Sequence, residues 1–146
     1  MKRKILVDLP NTLLDSRHRT KDIGITLTNI KNDTVSYSAL KLLKDLMKLD
    51  YTIVYTHYCL SRLTPVIEAL IKKRKLPEGS LYTNFATSEV YDSRSLKKYV
   101  YEHFFKDEID YVIDNDESML TYWLSKDISL INVPLGLIYE YSDNRD

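Results

Sequence analysis

Short apolar runs alternate along the chain with longer segments in which apolar residues recur every three or four positions. Runs that are rich in β-branched and aromatic side chains are typical of strands buried in a parallel sheet. The first run covers residues 5–7 and leads directly into Asp8. The other runs cover residues 51–56, 81–83, 110–114 and 128–132. The pattern therefore predicts five strands.

The segments between these runs have the spacing of amphipathic helices. Asn32 and Asp33 are predicted to cap the first helix, and its apolar residues recur on one face. That face comprises Val35, Ala39, Leu40, Leu43, Leu46 and Met47. In the second helix, Thr64 is the expected N-cap and Pro65 the first helical residue, because proline is pre-organised for that position. Further helices are predicted at about residues 95–106 and 117–126.

This alternation of strands and helices predicts an α/β fold with a doubly wound, parallel, five-stranded sheet. The length of 146 residues fits a single domain that covers residues 1–146. Between the first strand and the first helix, the segment at about 15–33 lacks a helical period and contains the alternating sequence ITLTNI. We therefore expect a small β flap after the first strand.

Composition narrows the classes of function. Lysine and arginine together number 21, as do aspartate and glutamate, so the formal net charge is zero. Contact with a polyanion must then come from a local patch, such as residues 17–19 or 72–75. The single cysteine excludes an internal disulfide and a cysteine-based zinc cluster. No apolar run approaches the length of a membrane span, so we expect a cytoplasmic protein without a membrane partner.

Residues that can perform chemistry stand at the ends of three predicted strands. Asp8 follows the first strand, Thr56 ends the second and Asp114 ends the fourth. Open α/β sheets bind ligands at the carboxyl ends of their strands, so these side chains should meet there. A carboxylate in that place can attack phosphorus or bind Mg²⁺. Asp116 is expected to cap the following helix or to be a second metal ligand.

The sequence KILVDLPNTLLDSRHR at residues 4–19 resembles the first motif of the haloacid dehalogenase-like (HAD) phosphohydrolases, Asp-x-Asp-Gly/Asn-Thr-Leu, often followed by x-Asp-Ser. The matching positions are Asp8, Asn11, Thr12, Leu13, Asp15, Ser16, His18 and Arg19. The resemblance implies that Asp8 is the nucleophile and a Mg²⁺ ligand, and that Asn11 and Thr12 contact phosphate.

Pro10 stands where the second aspartate of this motif would be. In the resembling family that residue binds the metal through its backbone carbonyl and acts as general acid and base through its carboxyl group. Proline keeps the carbonyl and lacks the carboxyl. Positioned proton transfer contributes about 10²- to 10⁴-fold to a rate, so hydrolysis should be weakened by that order unless Asp15, His18 or His57 substitutes.

Two later stretches extend the resemblance to about residue 132. Thr56 stands where the family holds the transferred phosphoryl group, but His57 follows it instead of Gly-Arg, and the nearest arginine is Arg62. Arg62 is accordingly the expected arginine contact to phosphate.

The stretch KKYVYEHFFKDEIDYVIDND, at residues 97–116, resembles the corresponding part of the 3′-phosphatase domain of phage polynucleotide kinases. It implies that Lys97 is the catalytic cation, narrowly ahead of Lys98, which is then expected to contact phosphate. It also implies that Asp114 and Asp116 complete a Mg²⁺ site.

The leading hypothesis is a Mg²⁺-dependent HAD-like phosphohydrolase, weakened by Pro10, that acts on a nucleotide or nucleic-acid phosphomonoester. The first alternative is a catalytically inactive HAD-like scaffold, such as a viral or phage accessory factor, that binds nucleic acid or a protein partner. A phosphorylatable receiver-like domain is a further alternative, because it also combines a doubly wound sheet with Asp, Thr and Lys.

Overall fold

Five parallel strands form the central sheet of the protein. In the computed structural model, residues 3–16, 30–31 and 33–135 are described. The strands of the central sheet are β1 (Lys4–Asp8), β4 (Thr52–Thr56), β5 (Ser80–Tyr82), β6 (Ile109–Ile113) and β7 (Ser129–Ile131). Their order across the sheet is β5-β4-β1-β6-β7. Two short strands, β2 (Leu14–Asp15) and β3 (Thr34–Val35), form a separate antiparallel pair.

α-Helices connect these strands. They are α1 (Tyr37–Met47), α2 (Thr64–Lys73), α3 (Ser93–Phe104) and α4 (Leu120–Ser125). Short 3₁₀ segments, Ser61–Leu63 and Glu117–Met119, precede α2 and α4. None of the helices in the described part of the chain has the length and apolar character needed to cross a membrane.

The helices cover both faces of the sheet because β1 is apolar on both sides. Ile5 and Val7 belong to a buried cluster that also contains the core residues of α1 and α2. Leu6 belongs to a second cluster, with Leu96 of α3 and Trp123 of α4. Side chains of alternate residues in a strand point to opposite faces, so this division follows from the three consecutive apolar residues of β1.

The order of the connections creates a crevice beside β1. From β1 the chain continues to β4 and β5 on one side, and it then returns to β6 and β7 on the other side. Doubly wound sheets bind ligands at such a reversal, outside the carboxyl ends of the strands. Asp8 is paired in register with Thr56, and Val7 with Ile113, the residue before Asp114. The three predicted site residues therefore lie together at the carboxyl ends of the central strands.

These observations confirm the predicted fold class, an α/β fold with a doubly wound five-stranded parallel sheet. Most predicted elements differ from the observed ones by one or two residues at their ends. The strand order also excludes the receiver-like alternative. Counted along the chain, the sheet strands have the order 3-2-1-4-5, whereas receiver domains have the order 2-1-3-4-5.

The start of the first helix was predicted wrongly. Val35 belongs to β3, and Ser36 caps α1 by accepting a hydrogen bond of 3.4 Å from the backbone N–H of Ala39. The pairing of β3 with β2 is non-local, so helical periodicity could not reveal it. Thr64 is likewise the first residue of α2 and not its N-cap. The interior of the predicted flap, residues 17–29, and the predicted cap residue at position 32 lie outside the described residues.

Candidate active site

Asp8 and Thr56 end neighbouring strands and contact each other directly. The Thr56 hydroxyl donates a hydrogen bond of 2.8 Å to Oδ1 of Asp8. Asp8 is 5% exposed and Thr56 is fully buried. The hydrogen bond orients the carboxylate and leaves its second oxygen, Oδ2, toward the remaining groups of the site.

Lys97 supplies a positive charge to the same place. A capping box starts α3: Asp92 accepts a 2.7 Å hydrogen bond from the Ser95 N–H, and the Ser95 hydroxyl accepts one of 2.9 Å from the Asp92 N–H. Lys97 lies about one turn further along the helix and is fully buried. Its Nζ is 2.6 Å from Oδ2 of Asp114 and 3.7 Å from Oδ2 of Asp8.

The charges of this cluster do not cancel. Burial raises the pKa of Asp8 to about 7, with Lys97 opposing the rise and Asp114 adding to it. Burial by itself lowers the pKa of Lys97, but the carboxylates of Asp8 and Asp114 outweigh it and the net pKa is raised. Lys97 is therefore charged at neutral pH. When both aspartates are ionised, the three groups carry one net negative charge, which favours binding of a proton or a cation.

The turn after β1 offers few backbone donors to an anion. The N–H of Leu9 donates a hydrogen bond of 2.9 Å to the Thr56 carbonyl, and Pro10 has no N–H. Asn11 adopts a left-handed conformation with φ of 53°, which asparagine tolerates better than most residues. The first two residues after Asp8 therefore cannot donate backbone hydrogen bonds to a bound phosphate.

Asn115 joins the loops that follow β1, β6 and β7. Its side-chain amide donates to the carbonyls of Asn11, at 2.7 Å, and Val133, at 3.0 Å, and its Oδ1 accepts from the Val133 N–H at 3.0 Å. Its backbone N–H donates to the Thr12 hydroxyl at 3.2 Å. Sequence reasoning missed this role. The sequence offers one indication of this role, which is an amide side chain directly after the carboxylate at the end of a strand.

Other predicted phosphate contacts are placed less favourably. Lys98 is exposed, and its ammonium lies 5.1 Å from the centroid of the Tyr122 ring. Successive helical residues point about 100° apart, so Lys98 faces away from the cluster that Lys97 enters. This placement gives no support to its predicted contact with phosphate, which stays a prediction. Arg62 is exposed in the 3₁₀ segment before α2, and its contact with phosphate stays a prediction.

The side chains of Asn11 and Thr12 hold the loop itself. Oδ1 of Asn11 accepts hydrogen bonds from the N–H and the hydroxyl of Ser16, at 3.1 and 3.0 Å. The Thr12 hydroxyl is buried and accepts the bond from Asn115 described above. These contacts account for both residue types without a ligand, so their phosphate-binding role also stays a prediction.

The donors near Asp8 fit a Mg²⁺ ion in type. Mg²⁺ prefers oxygen ligands and commonly takes one or two carboxylates while keeping several waters. Asp8, Asp114 and the carbonyl of Pro10 are the candidate ligands, and the unbalanced negative charge favours a cation. Within residues 3–16, 30–31 and 33–135, no three His, Cys, Asp or Glu side chains form a metal-binding group.

Asp116 fits such a site less well. Its Oδ2 accepts a hydrogen bond of 2.9 Å from Arg94, and its Oδ1 accepts one of 3.1 Å from the Ser118 N–H. The cap that was predicted for Asp116 is thus present, at the start of the 3₁₀ segment. Its role as a second metal ligand stays a prediction.

Comparison with known proteins relates the chain to solved structures through its fold. No family model matches the sequence, and no curated protein sequence matches it. A chain in a structure of the Pnkp1/Rnl/Hen1 RNA repair complex superposes with a TM-score of 0.73 at 13% identity, over 92% of this chain and 43% of that chain. A second structure of the Pnkp1/Rnl/Hen1 complex gives a TM-score of 0.73 at 14% identity, over 94% and 48%.

This protein therefore spans less than half the length of the chains that it matches. At these identities the similarity establishes a shared fold.

Proposed function

We propose that this protein is a HAD-like, Mg²⁺-dependent phosphohydrolase that acts on the phosphomonoester of a nucleotide or a nucleic-acid end. One observation carries the proposal: Lys97 lies between the carboxylates of Asp8 and Asp114, at the carboxyl ends of the strands of a doubly wound sheet. A buried cation beside a nucleophilic carboxylate is what phosphoryl transfer requires, because the transferred group is itself an anion.

Each residue of the cluster has a distinct task in such a reaction. Asp8 attacks phosphorus through Oδ2, since Oδ1 is held by Thr56. Lys97 lowers the repulsion between the carboxylate and the incoming phosphate, and the Thr56 hydroxyl keeps the nucleophile in place. A bound Mg²⁺, held by Asp8, Asp114 and the Pro10 carbonyl, would neutralise charge on the phosphate oxygens.

Pro10 sets the expected rate. Without a carboxyl at that position, the leaving alcohol lacks the proton donor that the resembling family places there, which lowers the rate by about 10²- to 10⁴-fold unless Asp15, His18 or His57 substitutes. An aryl phosphate should suffer less, because a phenolate leaves without much help from an acid. The activity is therefore expected to be weak, and stronger on good leaving groups.

The choice of substrate class rests on two considerations. The chains that share this fold belong to the Pnkp1/Rnl/Hen1 RNA repair complex. The sequence stretch at 97–116 resembles a phosphatase that acts on nucleic-acid ends. Because its formal net charge is zero, this protein would bind such an end through local contacts and not through contacts along an extended nucleic-acid backbone.

A binding scaffold without turnover is the second candidate, and the turn after β1 favours it. Leu9 uses its N–H within the sheet and Pro10 has none, so two backbone donors that could hold a phosphate are missing. Such a scaffold would bind nucleic acid or a protein partner.

A phosphate-release assay separates the two candidates. The substrates are a 3′-phosphorylated oligonucleotide and an aryl phosphate, with Mg²⁺, and the variants are Asp8→Asn, Lys97→Gln and the exposed control Lys98→Gln. We expect slow release that Asp8→Asn abolishes, that Lys97→Gln reduces strongly and that Lys98→Gln preserves. Release that is unaffected by Asp8→Asn would overturn the proposal. If neither phosphate ester is hydrolysed, and fluorescence anisotropy shows oligonucleotide binding that weakens with salt, the scaffold is favoured.

A further inference from the structure

We propose that Arg94 binds a second phosphate group of the substrate, so that this protein favours nucleotides or nucleic-acid ends that carry a phosphate beside the reacting one. The inference rests on the proposed function, since it takes Asp8 and Lys97 as the place of the reacting phosphate. It goes further by naming the residue that selects the substrate and the chemical group that this residue recognises.

Arg94 lies at the rim of the candidate active site, near the start of α3 and three residues before Lys97. Residues three positions apart on a helix are neighbours on the same face, so the two cations share one side of α3. The side chain of Lys97 is 1% exposed, whereas that of Arg94 is 57% exposed. The helix therefore presents a buried cation to the reacting carboxylates and an accessible cation closer to its start.

Hydrogen bonds connect Arg94 to the carboxylates of the site. Its Nε donates a bond of 2.9 Å to Oδ2 of Asp116, and the Asp116 N–H donates one of 3.0 Å to Oδ1 of Asp114. Asp114 also accepts the bond of 2.6 Å from Lys97. The hydrogen bond to Asp116 raises the pKa of Arg94, and the charge of Asp114 adds to this rise. Arg94 thus belongs to the same electrostatic cluster as the reacting centre.

The guanidinium of Arg94 suits a phosphate group. Arginine has five N–H donors in a planar fork that matches the oxygens of a phosphate in pairs. The bond from Nε to Asp116 uses one of these donors. An exposed ion pair contributes little to stability, so the guanidinium can exchange this carboxylate for a phosphate at small cost. Asp116 then serves to hold the side chain near the site until a substrate binds.

This arrangement selects substrates with two neighbouring phosphates. When the reacting phosphate lies at Asp8 and Lys97, a second phosphate displaced by about one helical turn, roughly 5 Å along α3, meets Arg94. A nucleoside bisphosphate carries the second phosphate on the same sugar, and an oligonucleotide carries it as the diester next to its phosphorylated end. A phosphomonoester with a neutral remainder has no group for Arg94 to bind.

Two substrates that differ only in the second phosphate test the inference. Thymidine 3′-phosphate and thymidine 3′,5′-bisphosphate have the same leaving group at the 3′ position. We expect kcat/KM of the wild type to favour the bisphosphate about tenfold, the lower end for a hydrogen bond to a charged group. Arg94→Ala should bring the ratio of the two values close to one, mainly through KM. Arg94→Lys should keep part of the preference, since the charge remains and the fork is lost.

A 3′-phosphorylated dinucleotide distinguishes the two sources of the second phosphate. If it shares the preference of the bisphosphate, and Arg94→Ala removes that preference, the diester of a nucleic-acid end is recognised. If only the bisphosphate is preferred in an Arg94-dependent way, the substrate is a free nucleotide. Both results support a second phosphate at Arg94.

Arg3→Ala is the matched control. Nε of Arg3 donates a hydrogen bond of 3.0 Å to Asp110, and the side chain is also 57% exposed. Arg3 precedes β1, at the opposite end of that strand from Asp8. The control variant loses the same charge as Arg94→Ala, so an effect of net charge alone would appear in both. We expect Arg3→Ala to keep the preference for the bisphosphate.

The outcomes separate this inference from the proposed function. Equal kcat/KM for all three substrates in the wild type, or a preference that persists in Arg94→Ala, would overturn the inference and keep the phosphohydrolase. If no phosphate is released, the proposed function fails, and titration calorimetry on Asp8→Asn tests Arg94 separately. That variant should bind the bisphosphate about tenfold more tightly than the monophosphate, and adding Arg94→Ala should remove the difference. Equal affinities in Asp8→Asn would overturn the inference.

Discussion

The ammonium of Lys97 lies 2.6 Å from Oδ2 of Asp114, and neither residue is more than 1% exposed. A buried ion pair of this kind gives little net stability, because both charges lose their hydration. Its value lies in the positions that it fixes. Neither partner can be removed without leaving the other charge buried, and this makes the site and the fold depend on each other.

Replacement of Lys97 by methionine should therefore destabilise the protein strongly. The change leaves the carboxylates of Asp8 and Asp114 buried without their cation, and loss of one partner of a buried pair costs about 3–5 kcal/mol. Urea unfolding measures the difference in free energy. Lys98→Met is the control, since the exposed neighbour should change stability by less than about 0.5 kcal/mol. Equal, small effects of the two substitutions would show that Lys97 is not buried in this cluster.

The stability of the metal-free protein should fall as pH rises toward neutrality because of Asp8. The pKa of Asp8 is about 7 in the folded protein and ordinarily 3.8. A raised pKa means that the fold favours the protonated form. The contribution of Asp8 is thus fully present below about pH 4 and is lost as pH rises through 7.

Asp8→Asn isolates this effect, because an amide does not ionise in this range. The variant should gain stability relative to wild type between pH 5 and pH 8 in the presence of a chelator, as measured by thermal or urea unfolding. A constant difference between the two proteins across this range would contradict the raised pKa.

Mg²⁺ should raise the melting temperature at neutral pH. A ligand that binds only the folded state stabilises it by about 2.7 kcal/mol at 100 times its dissociation constant. Asp114→Ala should abolish the increment, whereas Asp116→Ala should retain most of it, because Arg94 and Ser118 already occupy that carboxylate. Titration calorimetry checks the binding itself. Loss of Mg²⁺ binding in Asp116→Ala alone would restore that residue as a metal ligand.

Asn115→Ala should cost about 2–4 kcal/mol, since the three hydrogen bonds of its side chain are lost and each contributes about 0.5–1.5 kcal/mol. The bond to the Thr12 hydroxyl is made by the backbone N–H and does not depend on the side chain. Asn132→Ala is the matched control, because Asn132 makes an exposed hydrogen bond of 2.8 Å to Glu117. Similar melting temperatures of the two variants would contradict the joining role of Asn115.

Much of the architecture was predictable because it is written in local patterns. The apolar run at Ile5, Leu6 and Val7 indicates a strand buried on both faces, and the strand-end positions of Asp8, Thr56 and Asp114 follow from such runs. Their convergence then follows from the general geometry of doubly wound sheets. These steps need no knowledge of tertiary contacts.

The remaining features depend on contacts between distant residues. Lys97 and Lys98 have the same local sequence, and only the phase of α3 against the strand ends places one of them beside Asp114 and the other over Tyr122. The hydrogen bonds of Asn115 span more than 100 residues to Asn11 and Thr12. Neither periodicity nor capping rules carry such information.

Asp8 and Thr56 are in register on neighbouring strands, and β6 pairs with the other side of β1. This central position in the sheet determines how the site is lost when the protein unfolds. Central strands of a sheet exchange their amide hydrogens only when the whole domain opens, whereas edge segments open by themselves. A site built on β1, β4 and β6 is expected to open only with the whole domain. Binding at Asp8 should therefore vanish in one step with global unfolding, and site occupancy would serve as a direct gauge of the fraction of molecules that are folded.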